Sequence, residues 1–416
     1  MKNRMTHILI SLAACVWMVG WPGVHAQTFS IRSVLADREA APAADSLLGW
    51  PGHLQARLRD LVGAPMFERT QLGLYVYDLT ADSALFACGH RQLLRPASVE
   101  KLLTAITALS QLGGSYRFET KLFRTGELAD SVLHGDLYLV GGFDPRFGHD
   151  DLRALVDRLA SEGVRRIDGK IFIDVSMKDT LAWGEGWCWD DGLDSLAPLT
   201  VNGHGHLTGA LTRALDAAGI SSVAAIEKAI RPSDAILVGA RYHSIDQILG
   251  KTLKESNNFY AEALFYQLGK QSGTAYPSGR ESARCVERFI AGLGLDPSDY
   301  RIADGSGLSL YNYLTPEVVV AALRYAYRND DVYSHLKPAL PIAGYDGTLR
   351  QRMRQGNACC NVFAKTGTVE GVSTLAGYAQ AANGHLLCFA IMNQGLRHHA
   401  AGRRFQDRVC EALTSP

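Results

Sequence analysis

Three short strings, Ser98-Val-Glu-Lys101, Ser256-Asn257-Asn258 and Lys365-Thr366-Gly367, stand in that order along the chain. They constrain the fold because each carries chemistry only when the other two are brought to it. A serine hydroxyl is a poor nucleophile until a base removes its proton. None of the strings contains a histidine, so the base has to be a lysine, which serves when burial and neighbouring cations lower its pKa toward neutrality. Pro96-Ala97 runs into Leu102, Leu103, Ile106 and Leu109, an apolar stripe that predicts a buried helix beginning near Ser98. Three residues of helix set Ser98 and Lys101 on one face, about a turn apart. The positive end of the helix favours an alkoxide at Ser98 and disfavours a charged lysine beside it.

The third string reads as a strand. Val362-Phe363-Ala364 leads into Lys365-Thr366-Gly367-Thr368, a turn follows at Glu370-Gly371, and Asn383-Gly384 separates two further apolar runs, a strong hairpin signal. In such a strand Gly367 leaves room for a close backbone approach. The backbone N–H groups near Thr368 and of Ser98 are the natural donors to a developing oxyanion. Ser256-Asn257-Asn258 reads as a loop opening into a helix, where the Ser256 hydroxyl can relay a proton and Asn258 can bond both an amide and the Lys101 region. Taken singly, Ser-x-x-Lys is as well explained by an ordinary amphipathic helix and Ser-Asn-Asn by an ordinary N-cap.

The three strings together are the signature of serine β-lactamases and penicillin-binding proteins. Four further stretches narrow the resemblance to the class C low-molecular-mass penicillin-binding proteins, the D-alanyl-D-alanine carboxypeptidase/endopeptidase family. They are Gly141-Gly142-Phe143-Asp144-Pro145, the Gly186-Trp187-Cys188-Trp189-Asp190-Asp191 segment, Ala303-Asp304-Gly305-Ser306-Gly307-Leu308-Ser309, and Leu340 to Leu349 with its Ala-Gly-Tyr-Asp-Gly-Thr core. The chain departs from the family at Leu310, where many members carry a basic residue.

The resemblance implies an α/β (α+β) chain of the serine β-lactamase/penicillin-binding-protein transpeptidase-like fold: an antiparallel sheet flanked by helices, with an inserted β-rich domain. Ser256 lies more than a third of the chain beyond Ser98, much further than in simple class A β-lactamases, which agrees with an insertion. Phe118 to Phe123, Gly135 to Val140 and Gly169 to Val175 read as its strands, with Asp151 to Leu159 and Leu207 to Ala218 as helices. The expected layout is a signal peptide at 1–26, a discontinuous catalytic domain at 27–117 and 241–416, and an inserted domain at 118–240. That insertion is shorter than in the family's large members, so their third nested domain is expected to be missing or vestigial.

The implied chemistry is acyl transfer on peptidoglycan stem peptides and cross-links, with β-lactam antibiotics as covalent inhibitors. Ser98 attacks, Lys101 takes its proton, and Ser256 with Asn258 manages the leaving amine. Lys365 with Thr366, Gly367 and Thr368 receives a terminal carboxylate and the oxyanion. Asp144 is the candidate contact for a diaminopimelate amine, or simply a turn aspartate before Pro145. A serine β-lactamase and a non-catalytic muropeptide-binding module are the alternatives on the same scaffold.

Composition fits and excludes little. Lys plus Arg and Asp plus Glu number 42 each, which argues against a nucleic-acid partner. Lys2 and Arg4 precede an apolar run from Ile8 to Gly20, and Val24-His25-Ala26 resembles a cleavage site, so export to the periplasm is expected; Leu12-Ala13-Ala14-Cys15 also resembles a lipobox. No segment of the mature chain is apolar enough to span a membrane. Without Cys15, seven of the eight cysteines remain, an odd number, and none has C-x-x-C spacing. Neither His204/His206 nor His398/His399 has a third ligand at useful spacing, so no metal and no other cofactor is expected.

Overall fold

The computed structural model describes residues 49–416 apart from 190, 192–194 and 204. The leader at 1–26 with Cys15, the stretch to residue 48, and Asp190 and His204 lie outside the described residues. In chain order the strands are β1 (Gln71–Asp78), β2 (Ser83–Cys88), β3 (Arg117–Arg124), β4 (Glu127–Ala129), β5 (Val132–His134), β6 (Leu137–Gly141) and β7 (Arg166–Ile167). They continue with β8 (Ile171–Asp174), β9 (Ser221–Ser222), β10 (Ile226–Lys228), β11 (Ile236–Ser244), β12 (Val362–Val369), β13 (Val372–Gln380) and β14 (Leu386–Gln394).

The main sheet has the order β12-β13-β14-β1-β2 and is antiparallel throughout. β13 is buried along eight of its nine residues because both faces of the sheet are covered, which suits its largely apolar Leu375–Ala379. On one face, Leu102, Leu103, Ile106 and Leu109 of helix Glu100–Leu112 share a core with Leu264 and Phe265 of helix Asn258–Lys270 and Val318 and Leu323 of helix Pro316–Tyr327. On the other, helices Gly52–Val62 and His399–Thr414 bring Leu54, Leu58, Val409 and Leu413 onto Leu74, Val76, Leu375 and Ile391. The turns at Glu370-Gly371 and Asn383-Gly384 join β12, β13 and β14 as their dipeptides predict, with Gly371 and Gly384 at φ +71° and +87°.

Residues 122–238 wrap a third core around Leu139, Leu155, Leu159, Ile173 and Leu211. Its sheet, β10-β8-β6-β3-β11, is mixed. β6, β8 and β10 run parallel, and parallel neighbours need crossovers, which helices His149–Ser161 and Leu207–Ala217 supply. A second, small sheet, β4-β5-β7-β9, lies in the same stretch of chain. The chain enters through β3 and leaves through β11, which pair with each other from Arg124–Ile236 to Arg117–Ser244. Ser244 then caps helix Ile245–Lys254: its Oγ accepts the Gln247 N–H at 3.3 Å, and Gln247 Oε1 accepts the Ser244 N–H at 3.0 Å. This stretch also lends Phe143, Met177 and Leu196 to the main core.

No helix among the described residues is long and apolar enough to cross a membrane. Cys88, Cys188, Cys285, Cys359, Cys360, Cys388 and Cys410 are free thiols; the adjacent Cys359 and Cys360 sulfurs stand 3.8 Å apart.

Candidate active site

Ser98 occupies a short 3₁₀ turn, Ala97–Val99, that feeds helix Glu100–Leu112. Ala97 sits at φ +46°, a left-handed conformation costing of order 1 kcal/mol or more for a residue with a Cβ. The surroundings hold it there. Gly307 at φ +74° lies so close that a Cβ on it would stand 1.9 Å from the Ala97 carbonyl oxygen. From the sheet side, a Cβ at Gly367 would stand 2.1 Å from Thr374 Oγ1 and 2.9 Å from both Pro96 O and Ser98 N. Thr374 Oγ1 donates to Pro96 O at 2.7 Å, tying β13 to the turn. The glycine of Lys-Thr-Gly therefore lets the edge strand reach the serine.

Lys101 is fully buried, and its Nζ lies 2.9 Å from Ser98 Oγ, 2.7 Å from Asn258 Oδ1 and 2.6 Å from Ser306 O. The last two atoms can only accept hydrogen bonds. A neutral amine thus spends its two N–H bonds on Asn258 and Ser306 and turns its lone pair to the one partner able to donate, the Ser98 hydroxyl. Burial lowers the Lys101 pKa to about 8, against the opposing pull of Asp304, Glu262 and Glu100.

The second lysine has a different station. Lys365 Nζ is also fully buried and donates to Ser256 Oγ at 2.8 Å and to Thr366 O at 2.6 Å. Burial first, and then the charge of Lys101, push its pKa well below the usual lysine range. Ser256 is held at φ +59°, and Asn257 caps the next helix by accepting the Tyr260 N–H at 3.1 Å, so Asn258 opens that helix facing Lys101. β12 is an edge strand. Ala364 N–H donates outward to Pro341 O at 3.0 Å, and alternation along the strand turns the Thr366 carbonyl and Thr368 N–H to that same outer side. The half-buried Thr366 donates to Thr348 Oγ1 at 2.8 Å, which brings the Asp346-Gly347-Thr348 segment to the site.

Beneath Lys101 stand three buried carboxyl groups. Asp304 accepts from Trp187 Nε1 (2.8 Å), Ser306 Oγ (3.2 Å), Asn312 Nδ2 (2.7 Å) and the backbone N–H groups of Gly307 (2.7 Å) and Ser309 (2.8 Å). It builds the loop that delivers the Ser306 carbonyl. Glu262 accepts the Gly305 N–H at 3.1 Å, and burial, with Asp304 adding, raises its pKa to about 8. Glu100 is completely enclosed and neither carboxyl oxygen has a partner among the described residues; burial, then Asp304 and Glu262, raise its pKa well above the carboxylate range.

Asp144 lies away from this cluster of bonds. Its side chain is 0 % exposed, with Oδ2 2.7 Å from His243 Nδ1 and Oδ1 accepting the Arg146 N–H at 3.0 Å. The carboxylate is thus closed against the end of β11. Four contributors were not singled out by the sequence reading: the Ser306 carbonyl, Thr348, Glu100 and Glu262. Glu262 carried a usable signal, since it stands four residues beyond Asn258 on one helix face. A backbone carbonyl carries none.

A helix-flanked antiparallel sheet whose edge-strand lysine faces a helix-start serine and its buried lysine defines a serine-dependent acyl-transfer hydrolase. The chain belongs to the D-Ala-D-Ala carboxypeptidase 3 (S13) family, whose model matches residues 54–198 and 197–415. It is similar to the D-alanyl-D-alanine carboxypeptidase DacB of Haemophilus influenzae, 23% identical over 77% of this chain and 85% of that one. The D-alanyl-D-alanine carboxypeptidase of Actinomadura sp. strain R39 is 27% identical over 80% of this chain and 79% of its own. The crystal structure of penicillin binding protein 4 (dacB) from Haemophilus influenzae shares the fold at TM-score 0.78 and 22% identity, covering 86% of this chain and 98% of that one. A predatory peptidoglycan endopeptidase of Bdellovibrio bacteriovorus also shares it, at TM-score 0.55 and 19% identity over 83% of this chain and 92% of that one.

Proposed function

We propose that the protein is a penicillin-sensitive DD-peptidase of peptidoglycan, removing terminal D-alanine from stem peptides or cutting D-alanyl cross-links. The observation that carries this is the partner set of Lys101, in which the Ser98 hydroxyl is, among the described residues, the one partner able to donate to a neutral Nζ. In the reaction, Lys101 takes the Ser98 proton as Oγ bonds to the penultimate carbonyl carbon. The oxyanion is received by the N–H groups of Ser98 and Thr368. As the C–N bond breaks, the proton passes to the leaving amine through Ser256, whose hydroxyl Lys365 orients. Water then attacks the ester, Lys101 again accepting a proton, and Ser98 is released.

Lys365 is turned inward onto Ser256, so its Nζ–H groups, with the Thr366 hydroxyl, are the donors a terminal carboxylate would meet, and that carboxylate would itself favour a charged Lys365. Asp144 would meet a diaminopimelate amine only by giving up His243; as it stands, it braces the Gly141–Phe147 turn. A class A β-lactamase activates its deacylating water with a glutamate, and the carboxyls that act on Lys101 do not suit that task. Burial raises the pKa of Glu100 and of Glu262, which makes each a reluctant carboxylate, and Asp304 is committed to its loop. Action on peptidoglycan agrees with export through the segment 1–26 to the periplasm, lipidation at Cys15 being the other route to the same compartment. We read residues 27–117 with 241–416 as the catalytic part, of which 27–48 lie outside the described residues, and 118–240 as an inserted part whose third nested domain is missing or vestigial.

The test is labelling by a fluorescent penicillin, read by denaturing gel and intact mass. The wild-type chain should carry one stable adduct and Ser98→Ala none, and the rate should climb with pH through about 8 as Lys101 loses its proton. An equal adduct on Ser98→Ala, or rapid turnover of a chromogenic cephalosporin without an adduct, would sink the proposal.

A further inference from the structure

A cleft lies away from the serine, between the mixed sheet of the inserted stretch and the far end of helix Asn258–Lys270. It encloses about 520 Å³. Asn258 opens this helix in the active site and Lys270 closes it in the cleft, about 18 Å away at 1.5 Å per residue. The walls carry four cations, Arg117 and Lys121 from β3, Arg231 from the segment before β11, and Lys270, in a chain whose net charge is zero. Two acids stand near them and both are committed. Glu119 is ion-paired with Lys121. Asp174 accepts the backbone N–H groups of Ser176 (2.9 Å) and Arg231 (2.7 Å).

Two of the cations have nothing to hold. Among the described residues, neither the Arg117 nor the Lys270 side chain makes a hydrogen bond or an ion pair, whereas most other arginines near this sheet do. Arg231 is fixed in place: its guanidinium lies 4.4 Å from the Phe123 ring centroid and donates to Pro232 O at 2.6 Å. The floor is also rigid. Gln267, buried, donates from Nε2 to Gly142 O at 2.5 Å and accepts the Tyr116 hydroxyl at 2.7 Å. Like charges gathered in a partly enclosed space repel one another, and an anion between them relieves the repulsion while gaining charge-assisted hydrogen bonds.

We propose that this cleft is a second binding site, for a carboxylate-bearing peptide segment of the same polymer whose scissile bond lies at Ser98. This rests on the peptidoglycan reading above: a cross-linked polymer carries carboxylates on many stem peptides, and one can occupy the cleft while its neighbour is cut. The cleft gives the enzyme a hold on polymer that a short soluble peptide cannot use.

The experiment uses the full chain, a fluorescent D-glutamate pentamer read by anisotropy, and tripolyphosphate as competitor, with penicillin labelling of Ser98 measured in parallel. Wild type should bind the pentamer, more weakly as salt is raised. The double variant Arg117→Glu, Lys270→Glu should bind about tenfold more weakly or worse and still label at the wild-type rate. If that variant melts early, Arg117→Gln with Lys270→Gln reads the same loss with less disturbance. Equal binding by wild type and variants, or no binding by wild type, overturns the proposal. Displacement by tripolyphosphate at far lower concentration than by unlabelled pentamer overturns it in favour of a phosphate ligand. Failure of penicillin labelling with pentamer binding intact would remove the DD-peptidase reading and leave an anionic-peptide site standing.

Discussion

At the scale of single residues, the site works by keeping charge out of a dry space. Lys101 and Lys365 sit fully buried, burial discourages both from holding a proton, and the charge of Lys101 discourages Lys365 further. Asp304 restrains the effect of burial on Lys101, joined by Glu262 and Glu100 only where they are ionised. Glu100 is the extreme case, an enclosed carboxyl with no hydrogen-bond partner, one residue before the base. Its pKa is raised, so between the ordinary carboxylate range and that raised value the folded state holds a proton that the unfolded chain has lost. Stability therefore falls as pH rises through this window, each tenfold displacement of the proton equilibrium being worth about 1.4 kcal/mol. Glu100→Gln imitates the protonated form at every pH. Its melting temperature relative to wild type should be higher at pH 8 than at pH 4.5, read by calorimetry at both. A difference independent of pH would mean that Glu100 is not held protonated. The Ser-Val-Glu-Lys string shows the glutamate plainly, yet its enclosure depends on Gly307 and Asp304, which come from a loop two hundred residues away.

At the scale of elements, what was legible in the sequence is what local pattern decides. The β12–β13–β14 meander follows from two turn dipeptides and three apolar runs, and the buried helix after Ser98 from its stripe of leucines and isoleucine. The parallel order of β6, β8 and β10 was not legible, because short apolar strands look alike whether their neighbours run parallel or antiparallel. The engagement of Asp144 with His243 was hidden for a related reason: they meet only because β11 returns beside β3. Gly367 shows how a motif residue acts through element packing. An added methyl group would meet Thr374 Oγ1, Pro96 O and Ser98 N together, and two of those are backbone atoms that cannot swing away. Gly367→Ala should destabilise the chain by about 1–3 kcal/mol and slow penicillin labelling at least tenfold by pushing β12 off the serine turn. Adding Thr374→Ala should not restore the rate, since the backbone clashes remain. Full recovery in the double variant would show that Gly367 is needed only for the threonine.

At the scale of the whole molecule, the question is how far the stretch between β3 and β11 can be separated from the rest. Its core around Leu139, Leu155 and Leu211 is its own, and the strands at its two ends are paired, so on topology alone it could be removed. Replacing residues 125–235 by Asn-Gly would join Arg124 to Ile236, which already face each other in register, through a turn suited to a hairpin. Packing argues for the opposite result. Phe143, Met177 and Leu196 from within the stretch lie in the main core, and losing each large buried side chain costs about 2–5 kcal/mol. Three such losses are comparable to the total stability of an ordinary domain, roughly 5–15 kcal/mol. The deletion would also remove Trp187, whose indole N–H is one of the five donors to Asp304. Asp304 shapes the loop whose Ser306 carbonyl holds Lys101 against Ser98. The deleted chain should therefore melt far below wild type and lose penicillin labelling even where it remains folded, as circular dichroism and the labelling gel would read together. Wild-type labelling by the shortened chain would show instead that the catalytic part stands alone and that the inserted stretch serves only to hold substrate.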